Sequence, residues 1–293
     1  MGKSIVTIPR MAVNGGELIF PSPTSPAVYA METPLVSVKS TTKEFPLGTR
    51  YIKNDGRVYR YCYFNGDADP EWGAYKAKLT NTVAVAPTQA TAAAQLAAYG
   101  ENIAAGAVGS NFVTVTIDKE IGILTTGVLS EDELAGGYIV IGNGSGQHPQ
   151  MRMIVSHPAL ASTGGSLTVR IDEPIISAVT AATTTIELME SPYYCIKADG
   201  SGGDYVSFIG IPSAEFSSGD YGWIQTWGPC WITSNSVTCD SARDRTIVFV
   251  GNGSVESSND ETMEDGFQIA GYALDMSSSG GSNAPMVMLT LGI

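Results

Sequence analysis

Along most of this chain, apolar and polar residues alternate with a period of two. Val113, Val115 and Ile117 alternate with Thr114, Thr116 and Asp118, and Leu167, Val169 and Ile171 with Thr168, Arg170 and Asp172. A period of two predicts strands with one buried face. Residues 138–141 and 151–155 read as strands bracketing a Gly142-Asn143-Gly144-Ser145-Gly146 turn. Further strands are predicted at 186–188, 205–211, 221–227, 231–234, 246–250, 267–274 and 286–291. Upstream, residues 48–53 and 57–64 flank Asn54-Asp55-Gly56. Asp-Gly between two β-prone runs is the signal for a tight hairpin turn. Asn65-Gly66, Asp199-Gly200, Asn252-Gly253 and Asp265-Gly266 mark further turns. Residues 88–104 (TQATAAAQLAAYGENIA) read as the one helix, with Gly100 a weak point near its end.

Residues 1–45 break the pattern. Pro9, Pro21, Pro23, Pro26 and Pro34 interrupt scattered apolar residues, and proline disfavours both helix interiors and central strands. An extended arm is expected there, lying on its own body or on a neighbour. Composition boundaries fall near 110–118 and within the Pro- and Gly-containing stretch 191–203. The fold class expected is therefore mainly β: small antiparallel sandwich or barrel domains, an extended N-terminal arm and one short Ala-rich helix.

Composition sharpens this picture. Of 293 residues, 43% are hydrophobic and only 15% charged, so Ser, Thr, Asn and backbone must build much of the polar surface. The first 60 residues hold eight basic and four acidic side chains; the remaining 233 hold eight basic and 25 acidic. A body with that acidic surplus repels phosphate, so no nucleic-acid partner is expected. The basic stretch is either an ordinary fluctuation or a surface suited to an acidic protein. No run approaches 18 apolar residues and none forms a signal core, so no membrane partner is expected. Cys62, Cys195, Cys230 and Cys239 are too scattered for a disulfide framework and read as buried apolar residues. Cys230 and Cys239, flanking a plausible hairpin, are the one pair that could join.

No catalytic signature emerges, and the reading is non-enzymatic, with no cofactor and no metal. His148 and His157 lie in hairpin surroundings without a nucleophile context, and read as turn or surface residues. The glycines at 142, 144 and 146 miss the G-x-G-x-x-G spacing. Glu256, Asp260, Glu261, Glu264 and Asp265, like Asp67, Asp69 and Glu71, lack ordered calcium-ligand spacing and read as solvated loops. Tyr221, Trp223, Trp227 and Trp231 are either core or a sugar platform. Strand spacing puts Trp223 and Trp227 on one face, which favours core. Asn143-Gly144-Ser145 and Asn252-Gly253-Ser254 match glycosylation sequons but read as turns.

Four ordered blocks carry a resemblance. These are FPLGTRYIKNDGRVYRYCYFNG (45–66), GGYIVIGNGSGQHPQMRMIVSHPAL with SLTVRIDEPI and MESPYY, DYGWIQTWGPCWI (220–232), and FQIAGYAL (267–274). Together they are similar to the capsid decoration, or cement, proteins of tailed bacteriophages. That resemblance implies a virion protein made in the host cytoplasm, located on the outer capsid surface. Its partners would be the major capsid protein and itself, as a homotrimer. The layout expected is 1–45 as arm, 46–110 as hairpin plus Ala-rich segment, 111–192 as a small β insertion domain, and 193–293 as a C-terminal β domain packing with 46–87; the Ala-rich segment 88–104 is not part of the resembled pattern. On this reading, deleting residues 1–45 abolishes capsid binding and leaves the body folded. The alternatives are a carbohydrate-binding head-fibre or tail-associated adhesin, and the major capsid protein itself.

Overall fold

The computed structural model describes residues 10–21, 33–77, 106–118, 129–143, 149–161, 164–177, 184–197, 205–235, 245–258, 267–275 and 285–292. Seventeen strands and no helix occur among them, and all strand pairs are antiparallel. The chain is mainly β. The Ala-rich stretch 88–104 lies outside the described residues. Residues 1–78 and 193–293 form one compact unit, and 79–192 another.

The first unit opens with a hairpin of β1 (Arg10–Val13) and β2 (Gly16–Ile19). Gly15, at φ 91°, makes its turn. β2 pairs with β3 (Arg50–Lys53), which pairs with β4 (Val58–Tyr63) across the Asp-Gly turn, where Gly56 has φ 85°. β5 (Ala74–Ala77) then ends the first pass through this unit.

The second unit comprises β6 (Phe112–Asp118), β7 (Tyr138–Asn143), β8 (Gln150–Ser156), β9 (Gly164–Ile171) and β10 (Thr184–Met189), in the order β10-β7-β8-β9-β6. Its alternating residues behave as expected. Val113, Val115, Leu167, Val169 and Ile171 are buried with Ile139, Ile141 and Ile154 in one core. The hydroxyls of Thr114 and Thr168 meet across β6 and β9 on the exposed face, 3.1 Å apart. Residues 106–110 also belong to this unit, through Gly109 N–H to Ile175 O (2.8 Å) and Ile175 N–H to Ser110 O (2.9 Å).

The chain returns to the first unit as β11 (Ile196–Lys197), directly beside β5, followed by β12 (Tyr205–Pro212) and the long β13 (Tyr221–Trp231). β14 (Thr246–Phe249), β15 (Val255–Ser257), β16 (Ile269–Ala273) and β17 (Met286–Thr290) complete it. β13 pairs with β4 along Tyr221–Trp227 and with β17 along Trp227–Trp231; β12 pairs with it at Gln225 and Ile224. The sheet thus splits at β13 into a β12–β5–β11 branch and a β17–β16–β14–β15 branch. Tyr75, Phe208 and Ile211 from the first branch share a core with Ile247, Phe249, Val287 and Leu289 from the second.

A second core takes in residues of the N-terminal stretch. Met11, Leu18 and Phe20 are buried with Phe45, Leu47, Tyr51, Tyr59, Tyr61 and Trp223. The described residues of 1–45 supply a hairpin and part of a core, so there the stretch lies on its own body. Removing them would strip one side of the Tyr51–Tyr61–Trp223 cluster, so the body is not expected to stay folded after that deletion. Asn14-Gly15 is the local turn signal for this hairpin.

Candidate contact surface

β13 carries the aromatic run, and its backbone decides what each ring does. Trp223 is only 2% exposed and is enclosed by Tyr61, Phe45 and Tyr51, with ring centroids at 5.1, 5.3 and 5.9 Å. It is core, as its strand position favours. A β-bulge lies between Gln225 and Trp227 against β4, and a bulge of one residue shifts the alternation by one. Past it Cys230 and Ile232 turn inward, while Pro229 and Trp231 turn out. Trp223 and Trp227 therefore do not share the buried environment that uninterrupted spacing predicts.

Trp231, 47% exposed, sits directly opposite Met286 on β17. Met286 is 46% exposed, and its carbonyl accepts the Leu274 N–H at 2.8 Å. Tyr272 on β16 faces Met288, which in turn faces Pro229. Trp231, Met286, Tyr272 and Leu274 thus lie on the outward face of three adjacent strands, whose inward face is filled by Cys230, Val287, Leu289, Ala270 and Ala273. Neither β16 nor β17 contains a charged residue. Four large side chains, each roughly half exposed, present on the order of 400 Å² of apolar surface. That is the size of the largest patch on an ordinary monomer, which is often functional, and about half of one partner's share of a standard interface. Apart from Trp231, sequence reading did not single out these residues. The available signal was a pair of strands apolar in both registers, where one face alone needs to be.

The remaining candidates do not converge. His157 corrects its expectation: it is 3% exposed. Its Nε2 accepts the Leu134 N–H at 2.9 Å, which places the ring proton on Nδ1, 2.9 Å from the Pro158 carbonyl it donates to. Its own N–H donates to Asp132 Oδ1 at 2.8 Å. It is a buried structural clip, used on both ring nitrogens. His148, Gly144, Gly146, Asp260, Glu261, Glu264, Asp265 and Cys239 lie outside the described residues. Glu256 accepts a hydrogen bond from Asn235 at 3.2 Å. Asp67, Asp69 and Glu71 form no metal-holding group with other residues, and none exists among the described residues. Asn252 Oδ1 accepts the Ser254 N–H and hydroxyl at 3.0 and 2.6 Å, and Gly253 has φ 85°: a side-chain-closed turn. Cys62, Cys195 and Cys230 are buried.

No family model, no curated protein and no solved structure matches the chain. The likeness to phage decoration proteins rests on the four sequence blocks alone.

Proposed function

We propose that this chain is a non-catalytic virion structural protein, a decoration protein that binds the outer surface of a phage head. On this reading it stabilises the shell through contacts with major capsid subunits and with copies of itself. The observation that carries the reading is the outward apolar face of β13, β17 and β16. A cement protein works by area: each contact that binds only the assembled shell stabilises it by mass action. A sheet face on which β16 and β17 carry no charged residue is the kind of surface that becomes an interface core, with aromatic and methionine side chains as its anchors.

The test is head binding by the full chain and by Trp231→Lys and Met286→Lys. Both side chains are already about half in water, so each variant is expected to fold and to lose at least tenfold in retention on purified heads. Heads lacking the chain should break at lower chaotrope concentration. Full retention of both variants on heads would remove the reading. Because Trp231 is exposed, an adhesin remains a second reading. Glycan binding that vanishes in Trp231→Ala, with no head binding, would select it.

A further inference from the structure

A cleft in the first unit lies between the β1–β2 turn, β3 and residues 33–37. Its volume is about 380 Å³, at the low end of the range for small-molecule sites. Its walls are tied in place by hydrogen bonds. The Thr33 hydroxyl donates to the Asn14 carbonyl at 2.7 Å, and the Asn54 N–H to the Gly15 carbonyl at 2.9 Å. The Val38 N–H closes a turn onto the Leu35 carbonyl at 3.0 Å. Pro34, Leu35 and Val36 form an apolar wall. Leu35 is 67% exposed, so a large apolar side chain stands in water beside the cleft.

Two side chains of β3 give the cleft its chemistry. Tyr51 lines it although only 1% exposed. A Cβ added to Gly15 would meet the Tyr51 oxygen at 3.3 Å and the Thr33 methyl at 3.8 Å, so the hydroxyl end is the part of Tyr51 that reaches the cleft. That hydroxyl has no hydrogen-bond partner among the described residues. The hydroxyl of Tyr61, in the same core, accepts the Glu44 N–H at 3.1 Å. Buried polar groups are ordinarily satisfied, so the Tyr51 donor stands out. Lys53, two positions on and therefore on the same face of the strand, also lines the cleft. It makes no ion pair among the described residues. The nearby Asp55 carboxylate is taken by Arg57 at 2.7 Å, and the Lys53 ammonium stands 5.3 Å from the Tyr59 ring. No Asp or Glu lines the cleft among the described residues.

We infer that this cleft binds a small organic carboxylate with an apolar body. The Tyr51 hydroxyl and the Lys53 ammonium donate to the carboxylate, and Pro34, Leu35 and Val36 cover the apolar part. A lining with one cation and no acid selects an anion. The apolar wall selects against inorganic phosphate, which has nothing to lay on it. The small volume selects a free acid over a protein segment, which needs on the order of 800 Å² of surface from each partner.

The experiment titrates phenylacetate, its uncharged amide, inorganic phosphate and a pentapeptide ending in phenylalanine into the full chain, read by saturation-transfer NMR. Phenylacetate is expected to bind with a Kd on the order of 1 mM, and the amide about tenfold more weakly. Lys53→Met, which keeps an apolar stem beside Tyr59, should bring phenylacetate down to the affinity of the amide. Tyr51→Phe should weaken phenylacetate about fivefold and leave the thermal midpoint unchanged, because the lost hydroxyl has no partner in the fold. A purely structural hydroxyl would do the reverse. Equal affinity for acid and amide, or no binding of phenylacetate, overturns the inference. So does unchanged phenylacetate affinity in either variant, or tighter binding of phosphate or the peptide. If Tyr51→Phe fails to fold, Lys53→Met alone decides. None of these arms uses a phage head, so this result and that of head binding are independent.

Discussion

Asp220 is a nearly buried carboxylate placed where residues 33–47 meet the start of β13. Burial alone would raise its pKa. The Lys39 ammonium at 2.9 Å and the Ser217 N–H at 2.8 Å outweigh burial and hold it below its ordinary value. A carboxylate depressed in the folded state adds stability above its unfolded pKa, and that stability is lost as pH falls through the folded value. Chemical denaturation of wild type should therefore show a loss of stability below about pH 4 that Asp220→Asn lacks. At neutral pH Asp220→Asn should be about 1–3 kcal/mol less stable. His157 offers a second measurement. Replacing it with Phe keeps a ring but leaves the buried Leu134 N–H without an acceptor, and about 1–3 kcal/mol of the second unit's stability should go. The cysteines give a third. Burial raises the thiol pKa of Cys62 well above its ordinary value and that of Cys230 to about 12. Thiol reagents at neutral pH should leave both unmodified in the native chain and label them only in denaturant, as peptide mass spectrometry would show.

At the scale of elements, the hairpin β3–β4 and the strands β6 and β9 were readable because one local rule fixed each. Asp55-Gly56 demanded a positive-φ turn, and alternating Val and Thr demanded one buried face. β1–β2 carries an equally local signal in Asn14-Gly15, but prolines 21 to 34 pointed to irregular chain, and the apolar Leu18 and Phe20 had no visible partner. Those partners, Phe45, Tyr51 and Trp223, come from far along the sequence. The bulge in β13 was not legible at all. It follows from β13 pairing with β4 before Trp227 and β17 after it, a long-range fact that one strand's residues do not record. Hence the outward face at Trp231 and Met286 escaped the period-two reading. Gly48 shows a local residue under tertiary control: it has φ 80°, and a Cβ there would come within 2.9 Å of Tyr193. Gly48→Ala should destabilise the first unit by about 1–3 kcal/mol in equilibrium unfolding, through backbone strain and the ring clash together.

For the whole molecule, the decisive feature is where the chain departs and comes back. β5 ends at Ala77, and the next strand of the same unit, β11, begins at Ile196 and pairs with β5, Lys76 opposite Ile196 and Tyr75 opposite Lys197. More than a hundred residues, with a self-contained core of their own, therefore hang from two neighbouring backbone positions. Such a seam is a natural splice point. Replacing residues 79–192 with a short Gly/Ser turn should yield a soluble remainder whose amide protection in β4, β13 and β17 matches that of the parent. By the same logic, lineages could graft a different module into this socket without re-solving the scaffold of the first unit, so inserted regions of such proteins would diverge while the seam residues stay matched.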